Sequence, residues 1–391
     1  MTTYQQALDI ILGSVNTVGH ERIKLEESYG RALAEDVYSD VDMPPFDKAA
    51  VDGYACRRSD LGMVLHILEV IAAGQVPSHR IEKGQCTKLM TGAPVPPGAD
   101  MVIMVELTEK TQPGYIRFAG GESPANIAYK AEDVKIGDLV VKKGVRIMPQ
   151  QVAVMASVGQ VNPLVSKKPR VGILSTGDEL VEPNKTPEDG KIRNSNAWQL
   201  VAQVLAAGAI PNYMGIVPDE EHAMNKAVGM ALEQNNLVVI TGGVSMGDYD
   251  IVPEIMRRNK VEILFEKVAV KPGRPTVFGR AGNCSIFGLP GNPVSTFINF
   301  EVFVKPLIFG MMGLAWQYLE CELPLETDFL RKKADRLEFL PVKINSSGKV
   351  DLVSYHGSAH IHSLCQANAL MTIPVGKTGI KKGELVNVRP L

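Results

Sequence analysis

The sequence predicts a multidomain α/β protein whose central part is a doubly wound, mostly parallel sheet. From about residue 170 to residue 313, apolar runs alternate with amphipathic helical segments, as in a parallel sheet covered on both faces. On either side of this region, short apolar runs are separated by Gly and Pro turns, which indicates β-rich domains. The length of 391 residues supports several domains, since one domain usually has roughly 100 to 200 residues.

Composition and charge exclude several classes of partner. The chain has 41 basic and 43 acidic side chains, a net charge of -2, and no block of like charges. We therefore expect neither general nucleic-acid binding nor attraction to an anionic membrane. No apolar stretch is expected to reach the roughly 20 residues of a membrane span and no basic leader is seen, so a cytoplasmic location is expected. The five cysteines are scattered without a CxxC pair and are interpreted as ordinary thiols.

The first element is predicted to be an amphipathic helix. Thr3 and Gln6 fit a capping box, and Gly19 is expected to close the last turn. The apolar face consists of Leu8, Ile11, Leu12 and Val15. A β-rich insert follows, from about residue 36 to residue 117. Residues 147–167 then have helix-like spacing and end at a basic, Pro-containing junction, which predicts a domain boundary near Arg170.

Three loops of the central region are candidates for ligand binding, because ligands of open parallel sheets bind beyond the carboxyl ends of the strands. Each loop follows an apolar run and contains glycines with hydroxyl or amide side chains. The loops contain Ser175, Thr176, Gly177 and Asp178; then Gly242, Gly243, Ser245 and Gly247; and last Pro290, Gly291, Asn292 and Pro293. Glycine-rich backbone followed by the start of a helix can present amide groups to an anion, so these loops are predicted to form a phosphate cradle. A tight turn is the alternative for any single loop.

Two common nucleotide-binding motifs are absent from the sequence. The segment TGGVSMGD lacks the GK[ST] ending of a Walker A loop, and no GxGxxG follows a strand. A kinase or a dehydrogenase is therefore disfavoured.

Carboxylates and basic residues near these loops suggest a metal and an oxyanion. Asp250 is the better candidate ligand for magnesium, whereas Asp219 precedes a helix and could equally be its cap. Lys271 and Arg274 flank a Pro-Gly turn, with Lys267 four residues before Lys271, and this grouping suits a compact oxyanion. Simple solvation is the alternative for all three basic residues.

Three histidines near the carboxyl terminus could also suggest a metal site. His356, His360 and His362 lie close together, but no carboxylate or cysteine accompanies them in that segment. They are left out of the predicted site.

Eight ordered segments resemble the molybdopterin molybdenumtransferase (MoeA) family, which is related to the C-terminal domain of gephyrin. The segments are MPPFDKAAVDGYA, MTGAPVPPGADMVI, AEDVKIGD, ILSTGDELV, GKIRNSN, ITGGVSMGDYD, AVKPGRP and LPGNPVSTF. The resemblance covers the chain from the first helix to the last strand.

The resemblance implies a homodimer of four-part subunits. The implied parts are a helical/linker domain (1–44 and 133–167), a β-rich inserted domain (45–132), a molybdopterin-binding α/β domain (168–313) and a C-terminal β-barrel domain (314–391). It further implies a cleft shared between the α/β domain of one subunit and the insert of the other. Asp52, Thr91 and Asp133 match family positions with functional roles and would complete the site across the dimer.

The implied reaction inserts molybdate into adenylylated molybdopterin and releases AMP. For this reaction we expect catalytic roles for Asp52, Asp133, Asp219, Asp250, Lys267 and Lys271, and we expect Asp219 and Asp250 to be the magnesium ligands. The glycine loops would hold the pyrophosphate, and Lys267, Lys271 and Arg274 would hold molybdate or the similar tungstate. Pro290 and Pro293 match the prolines that shape the family's last loop. The upstream adenylyltransferase is a possible protein partner.

Three positions depart from the family pattern. Lys48 and Asn194 stand where relatives often have Asn and Asp, and Arg274 replaces a common Lys. Asn194 puts any acidic role at its position in doubt. Two other functions remain alternatives: a molybdopterin adenylyltransferase, whose fold the α/β domain resembles, and a non-catalytic scaffold like gephyrin. The insert and terminal domain favour molybdenum insertion.

Overall fold

The computed structural model describes residues 1–243, 251–355 and 357–391. Ser245, Gly247, Asp250 and His356 therefore lie outside the described residues. Within the described part, three six-stranded sheets and several two-stranded ones are connected by helices. This mixed architecture confirms the multidomain α/β class.

The first helix has the predicted cap but an earlier end. The amino-terminal elements are α1 (Tyr4–Gly13), β1 (His20–Arg22), β2 (Val37–Tyr38) and β3 (Lys48–Ala49). The Thr3 hydroxyl accepts from the Gln6 amide, and the Gln6 side chain accepts from the Thr3 amide, which forms the capping box. The prediction that Gly19 closes the helix was wrong, because Ser14 caps its carboxyl end. Gly19 instead lies in the following loop with a positive φ.

The inserted segment forms a six-stranded sheet. Its strands are β4 (Gly53–Cys56), β5 (Val64–Ile71), β6 (Gln85–Leu89), β7 (Met101–Met104), β8 (Thr108–Gln112) and β9 (Tyr115–Phe118), in the order β7-β4-β6-β5-β9-β8. The short β10 (Ile127–Ala128) pairs with β3. Buried side chains on the two faces of the sheet form separate apolar clusters, so the insert has its own core.

The linker segment consists of β11 (Leu139–Val141), α2 (Pro149–Ser157) and β12 (Leu164–Ser166). β11 pairs with β2, and β12 pairs with β1. The chain before the insert thus packs against the chain after it, and both share one apolar cluster.

The central sheet has helices on both faces. The elements are β13 (Arg170–Thr176), β14 (Leu180–Val181), β15 (Ile192–Arg193), α3 (Ser195–Ala206), β16 (Ile210–Val217), α4 (Glu221–Gln234), β17 (Leu237–Thr241), α5 (Val252–Arg258), β18 (Glu262–Phe265), β19 (Val270–Lys271), β20 (Val277–Ala281), β21 (Cys284–Leu289), α6 (Pro293–Asn299) and α7 (Lys305–Met311). The order is β16-β13-β17-β21-β20-β18, parallel from β16 to β21 and antiparallel beyond. α3 packs with one apolar cluster, whereas α4 and α5 pack with another.

A continuous helical stretch follows the last strand of the central sheet and leads to the C-terminal segment. A π-helical turn, Phe300–Val304, joins α6 to α7. Pro293–Met311 is long and apolar enough to span a membrane, so the expectation that no segment reaches this length was wrong. However, 78% of its most apolar window is buried inside the fold. Its apolar composition is therefore that of a core helix.

The C-terminal segment forms a third six-stranded sheet. Its elements are β22 (Cys321–Pro324), β23 (Phe329–Leu330), β24 (Leu337–Ile344), β25 (Val350–Leu352), α8 (His362–Gln366), β26 (Ala369–Ile373), β27 (Gly379–Ile380) and β28 (Leu385–Pro390). The order is β19-β24-β26-β28-β22, with β25 on β24, while β23 pairs with β27. β19 comes from the central region and pairs with β24 in parallel, which joins the two regions. The closed barrel stays a prediction.

Candidate active site

A cleft of about 1470 Å³ lies between the central sheet and the C-terminal sheet. The loops that follow β13, β17 and β21 form one wall, together with the start of α3 and the turn after β19. Residues around β23, β24 and β25 form the other wall. The predicted site residues in the lining are Thr176, Gly177, Asp219, Gly242, Gly243, Lys271, Arg274, Pro290, Gly291, Asn292 and Pro293.

The loops after β13 and β17 lie very close to each other at Thr176 and Gly242. A Cβ on Gly242 would lie 2.3 Å from the Thr176 carbonyl oxygen, and the φ of Gly242 is +101°. The Gly242 amide donates to the Leu289 carbonyl at 3.1 Å, which ties the β17 loop to the end of β21. Only glycine fits here, because a side chain would need both a strained φ and the space of the neighbouring loop.

Asn196, which the sequence did not single out, connects two of the loops. Its Nδ2 donates to the Thr241 hydroxyl at 3.0 Å and to the Gly291 carbonyl at 2.7 Å. The Thr296 hydroxyl donates to the Pro290 carbonyl at 2.5 Å and fixes the same turn from below. These contacts hold the loop ends in one arrangement, and the GKIRNSN segment was the available signal for Asn196.

Asp219 presents a carboxylate to the cleft and contacts the first glycine loop. The Thr176 hydroxyl donates to Asp219 Oδ1. The Asp219 amide donates to Asp178 Oδ1 at 3.2 Å, so Asp178 supports the backbone of Asp219 and does not line the cleft. No group of three or more His, Cys, Asp or Glu side chains suited to a metal occurs in residues 1–243, 251–355 and 357–391.

Ser175 lies beneath the cleft rather than in its wall. The side chain is buried, and its hydroxyl donates to Asn194 Oδ1 at 3.1 Å. Asn194 also caps α3 by accepting from the Ala197 amide, and its Nδ2 donates to the Tyr213 hydroxyl at 3.0 Å. An aspartate could accept the first two hydrogen bonds but could not make this donation. Asn194 therefore acts as a structural amide in this chain.

The turn after β19 brings Lys271 and Arg274 into the cleft. Lys271 Nζ forms an ion pair of 2.8 Å with Glu338 Oε1, and Arg331 pairs with the other carboxylate oxygen at 3.0 Å. The Glu338 side chain is 4% exposed, whereas that of Lys271 is 43% exposed. Lys271 therefore keeps an accessible face for a ligand while Glu338 fixes its ammonium group.

Asn299 supports this turn from the end of α6. Its Nδ2 donates to the Gly273 carbonyl at 3.1 Å and to the Thr276 hydroxyl at 2.6 Å. A Cβ on Gly273 would lie 2.3 Å from Asn299 Nδ2, and the φ of Gly273 is +96°. The close approach of the turn to α6 therefore depends on glycine.

The C-terminal sheet contributes a basic wall that the sequence did not predict. Arg331, Lys332, Lys333 and Arg336 line the cleft opposite the glycine loops. The run RKKADR was the available signal, but exposed basic residues alone are weak indicators. Tyr355 also lines the cleft, and burial, followed by the nearby Glu338 charge, raises its pKa to about 12. It is therefore a neutral phenol at ordinary pH.

Four other predicted residues do not line this cleft. Lys267 lies before β19, and its carbonyl accepts from the Thr2 amide at 3.1 Å. Asp133 is exposed in the linker. Asp52 and Thr91 contact each other in the insert, where Asp52 Oδ1 accepts from the Thr91 amide at 2.7 Å and from its hydroxyl at 2.8 Å. The described contacts therefore bring Asp52 and Thr91 together but separate them from the cleft of the same chain.

The Asp52 contacts give a pH-dependent prediction. The Thr91 amide, and after it the Thr91 hydroxyl, hold the pKa of Asp52 below its ordinary value. The resulting stabilisation is present above the unfolded pKa and is lost as the pH falls through the folded pKa. We expect Thr91→Val to raise the pKa of Asp52 because it removes the hydroxyl donor, as measured by NMR titration of the carboxyl carbons. Asp60, whose pKa is lowered mainly by the Gly84 amide, is the internal control. An unchanged pKa of Asp52 would contradict the assignment.

Three family models match the chain from end to end. Residues 2–159 match the MoeA N-terminal region (domain I and II), residues 172–310 match a probable molybdopterin binding domain, and residues 324–391 match the MoeA C-terminal region (domain IV). The chain belongs to the MoeA family. The resemblance based on the eight segments is therefore confirmed.

Individual MoeA relatives agree with this assignment. The chain is 35% identical over 385 residues to the molybdopterin molybdenumtransferase of Bacillus subtilis (strain 168), covering 94% of this chain and 89% of the relative. It is 34% identical over 394 residues to the protein of the same name from Staphylococcus epidermidis, covering 98% and 94%. The solved molybdopterin biosynthesis moeA protein from Pyrococcus horikoshii OT3 superposes with a TM-score of 0.87 at 32% identity, with both chains fully covered.

Proposed function

We propose that this chain is a molybdopterin molybdenumtransferase that inserts molybdate into adenylylated molybdopterin and releases AMP. Its family membership places it among enzymes of molybdenum cofactor biosynthesis. The observation that carries the proposal is the cleft, in which a three-loop glycine cradle faces a cationic wall. A pyrophosphate and a tetrahedral dianion are the two anionic groups of the reaction, and this cleft offers a complementary surface to each.

The glycine loops suit the pyrophosphate. Because Gly242, Gly243 and Gly291 carry no side chains, an anion can approach their backbone closely. The hydrogen bonds of Asn196 fix two of these loops before a ligand binds. Binding therefore needs little rearrangement, and the anhydride is held in one orientation for attack by water.

The wall of the cleft that contains the glycine loops also offers a carboxylate ligand for magnesium. Asp219 presents a carboxylate to the cleft, and oxygen ligands together with substrate phosphates are what this ion prefers. We assign Asp219 as one ligand and, by its family position, Asp250 as another. When bound, the ion would supply charge compensation at the anhydride. The Thr176 hydroxyl orients the Asp219 carboxylate for this role.

Molybdate is the substrate assigned to the cationic turn. Lys271 and Arg274 would bind its oxygens by charge-assisted hydrogen bonds, with Arg336 and Lys332 adding positive potential from the other wall. The two thiols of the dithiolene would then bond to molybdenum and displace one molybdate oxygen, which takes their two protons and leaves as water. A second water would cleave the anhydride, so that the pterin phosphate keeps one phosphate and AMP leaves with the other. Glu338 pairs with both Lys271 and Arg331, so its carboxylate balances only one of the two positive charges and the turn keeps a net positive charge for an anion.

The architecture in finer detail also belongs to the proposal. We assign a doubly wound α/β domain at 168–313, a helical/linker domain at 1–44 and 133–167, an insert at 45–132, and a C-terminal barrel at 314–391. The active form would be a cytoplasmic homodimer, in which Asp52, Thr91 and Asp133 of one subunit complete the cleft of the other. Their placement outside the cleft of the same chain supports this arrangement. The upstream adenylyltransferase would deliver the adenylylated substrate.

The direct test is release of AMP. Purified protein with magnesium and adenylylated molybdopterin is expected to release AMP when molybdate is added, and a parallel titration with tungstate measures oxyanion selectivity. Release that does not depend on either oxyanion would overturn the proposal. An enzyme that instead consumes ATP and forms the adenylylated pterin would be an adenylyltransferase.

Asp219→Asn tests the metal assignment. We expect magnesium affinity or activity to fall by at least about 10-fold to 100-fold, because the loss of a direct ligand should cost no less than the loss of a group that only orients a ligand. The measurement is AMP release as a function of magnesium concentration, and excess magnesium should restore part of the activity. Glu220→Gln is the matched control, because Glu220 is the adjacent carboxylate and does not line the cleft. Equal effects of the two substitutions would contradict the role of Asp219.

A further inference from the structure

Trp198 presents an exposed indole beside the cleft. It lies in the first turn of α3 and is 48% exposed, which is unusual for so large an apolar side chain. One side of the indole packs against Tyr213 of β16, with ring centroids 5.4 Å apart and an interplanar angle of 50°. The rest of the ring remains accessible to a ligand.

This indole lines a second pocket of about 800 Å³ that is continuous with the cleft. The pocket is lined by Glu182, Pro183, Asn184, Arg193, Asn194, Ser195 and Trp198. Arg193, Asn194 and Ser195 also line the cleft. A ligand with its phosphates in the glycine cradle could therefore extend into this pocket without crossing another element.

Hydrogen bonds fix the base of the pocket in advance. The Tyr213 hydroxyl donates to Glu182 Oε1 at 2.7 Å and accepts from Asn194 Nδ2 at 3.0 Å. Arg193 Nε donates to the Lys185 carbonyl at 3.0 Å, which holds the opposite side. Tyr213, whose ring packs against Trp198, is thus hydrogen-bonded to both Glu182 and Asn194. The indole is therefore preorganised for stacking.

The sheet order separates this pocket from the proposed oxyanion site. Trp198 packs on β16, the edge strand next to β13, whereas Lys271 lies on β19, which joins the C-terminal sheet. The glycine loops after β13, β17 and β21 lie between them. In the adenylylated substrate the adenine and the dithiolene are on opposite sides of the pyrophosphate. If the dithiolene meets molybdate at Lys271, the adenine extends toward Trp198.

We propose that Trp198 and its pocket bind the adenine ring of the substrate by stacking. This inference rests on the proposed function, because that function fixes which end of the substrate meets Lys271. A purine suits the site, since its flat π-surface stacks on an indole and its phosphate lies in the adjoining cradle. The guanidinium of Arg193 adds a cation at the pocket rim.

Tryptophan fluorescence of the full chain tests the proposal. The sequence has two tryptophans, and Trp316 packs against Phe309 and Tyr318. Its buried indole nitrogen has no hydrogen-bond partner in the described part of the chain, so Trp316→Phe removes no such contact. In this Trp316→Phe protein, AMP is expected to quench the emission of Trp198 on binding. Ribose 5-phosphate, which lacks the base, is expected to leave the emission unchanged.

Affinity measurements provide the second readout. Trp198→Ala in the otherwise unchanged chain is expected to weaken AMP binding by roughly tenfold, the size of one lost stacking contact. Trp198→Phe should retain most of the affinity, and ribose 5-phosphate should bind both variants equally. Equal AMP affinity of the unchanged chain and Trp198→Ala would overturn the proposal.

Two further outcomes would also overturn it. If pterin quenches the emission and AMP does not, the pocket holds the other ring of the substrate. If Trp198→Ala changes the sedimentation coefficient from dimer to monomer, the indole belongs to an interface between copies. The proposed function fails separately: AMP can quench Trp198 in a protein that shows no molybdate-dependent release.

Discussion

Gly242→Ala is expected to lower molybdate-dependent AMP release by at least about 100-fold. The added Cβ would lie 2.3 Å from the Thr176 carbonyl oxygen, so one of the two loops must move. Both loops line the cleft, and displacing a substrate by about 1 Å can cost on the order of 100-fold in rate. The measurement is the rate of AMP release at saturating magnesium, together with the melting temperature.

Gly137→Ala is the matched control for backbone strain. Gly137 has a φ of +88°, similar to that of Gly242, but nothing lies within 4 Å of its Cβ position. Both substitutions place alanine at positive φ, which costs roughly 1 to 2 kcal/mol. We therefore expect both variants to lose stability, but only Gly242→Ala to lower the rate of AMP release. Equal activity of the two folded variants would show that the loop contact is not needed.

Lys271→Met is expected to raise the molybdate concentration for half-maximal AMP release by about 10-fold to 100-fold. A hydrogen bond to a charged group contributes roughly 1.5 to 3 kcal/mol, and about 1.4 kcal/mol corresponds to a factor of ten. Stability should change little, because Lys271 is partly exposed and Glu338 keeps its pair with Arg331. Molybdate titration of AMP release measures the effect.

Lys226→Met is the control for loss of one positive charge. Lys226 is exposed on α4 and does not line the cleft, so its removal changes the net charge equally without changing the site. Similar shifts in both variants would mean that the overall charge of the protein, rather than the turn after β19, sets the affinity for molybdate.

The core of the fold was predictable because its signals are local. The apolar runs before the glycine loops became β13, β17 and β21, and the periodic segments became α3 and α4. The loops of a parallel sheet then converge by topology, which explains why Thr176, Gly242 and Gly291 line one cleft. The prediction of each strand, helix and loop needed only the spacing of residues within one segment.

Contacts between distant segments were not predictable from the same signals. The ion pair of Lys271 with Glu338 joins residues far apart in the sequence, and nothing in the sequence around either residue indicates that the other is its partner. The basic run at 331–336 lines the cleft only because β19 pairs with β24. Ser175 was misplaced for a more local reason. β13 continues to Thr176, and alternate residues of a strand face opposite sides, so Ser175 and Thr176 cannot both face the cleft.

The pairing of β19 with β24 limits how far the chain can be dissected into independent modules. A fragment that ends at residue 313 would leave β19 without its neighbouring strand and Lys271 without its counterion. The complementary fragment would hold Arg331 and Glu338 as a pair with an open edge beside them. Recombining either piece with a homologue would therefore transplant half of a binding surface, so the transplanted segment has to include residues 268–276 together with the C-terminal sheet.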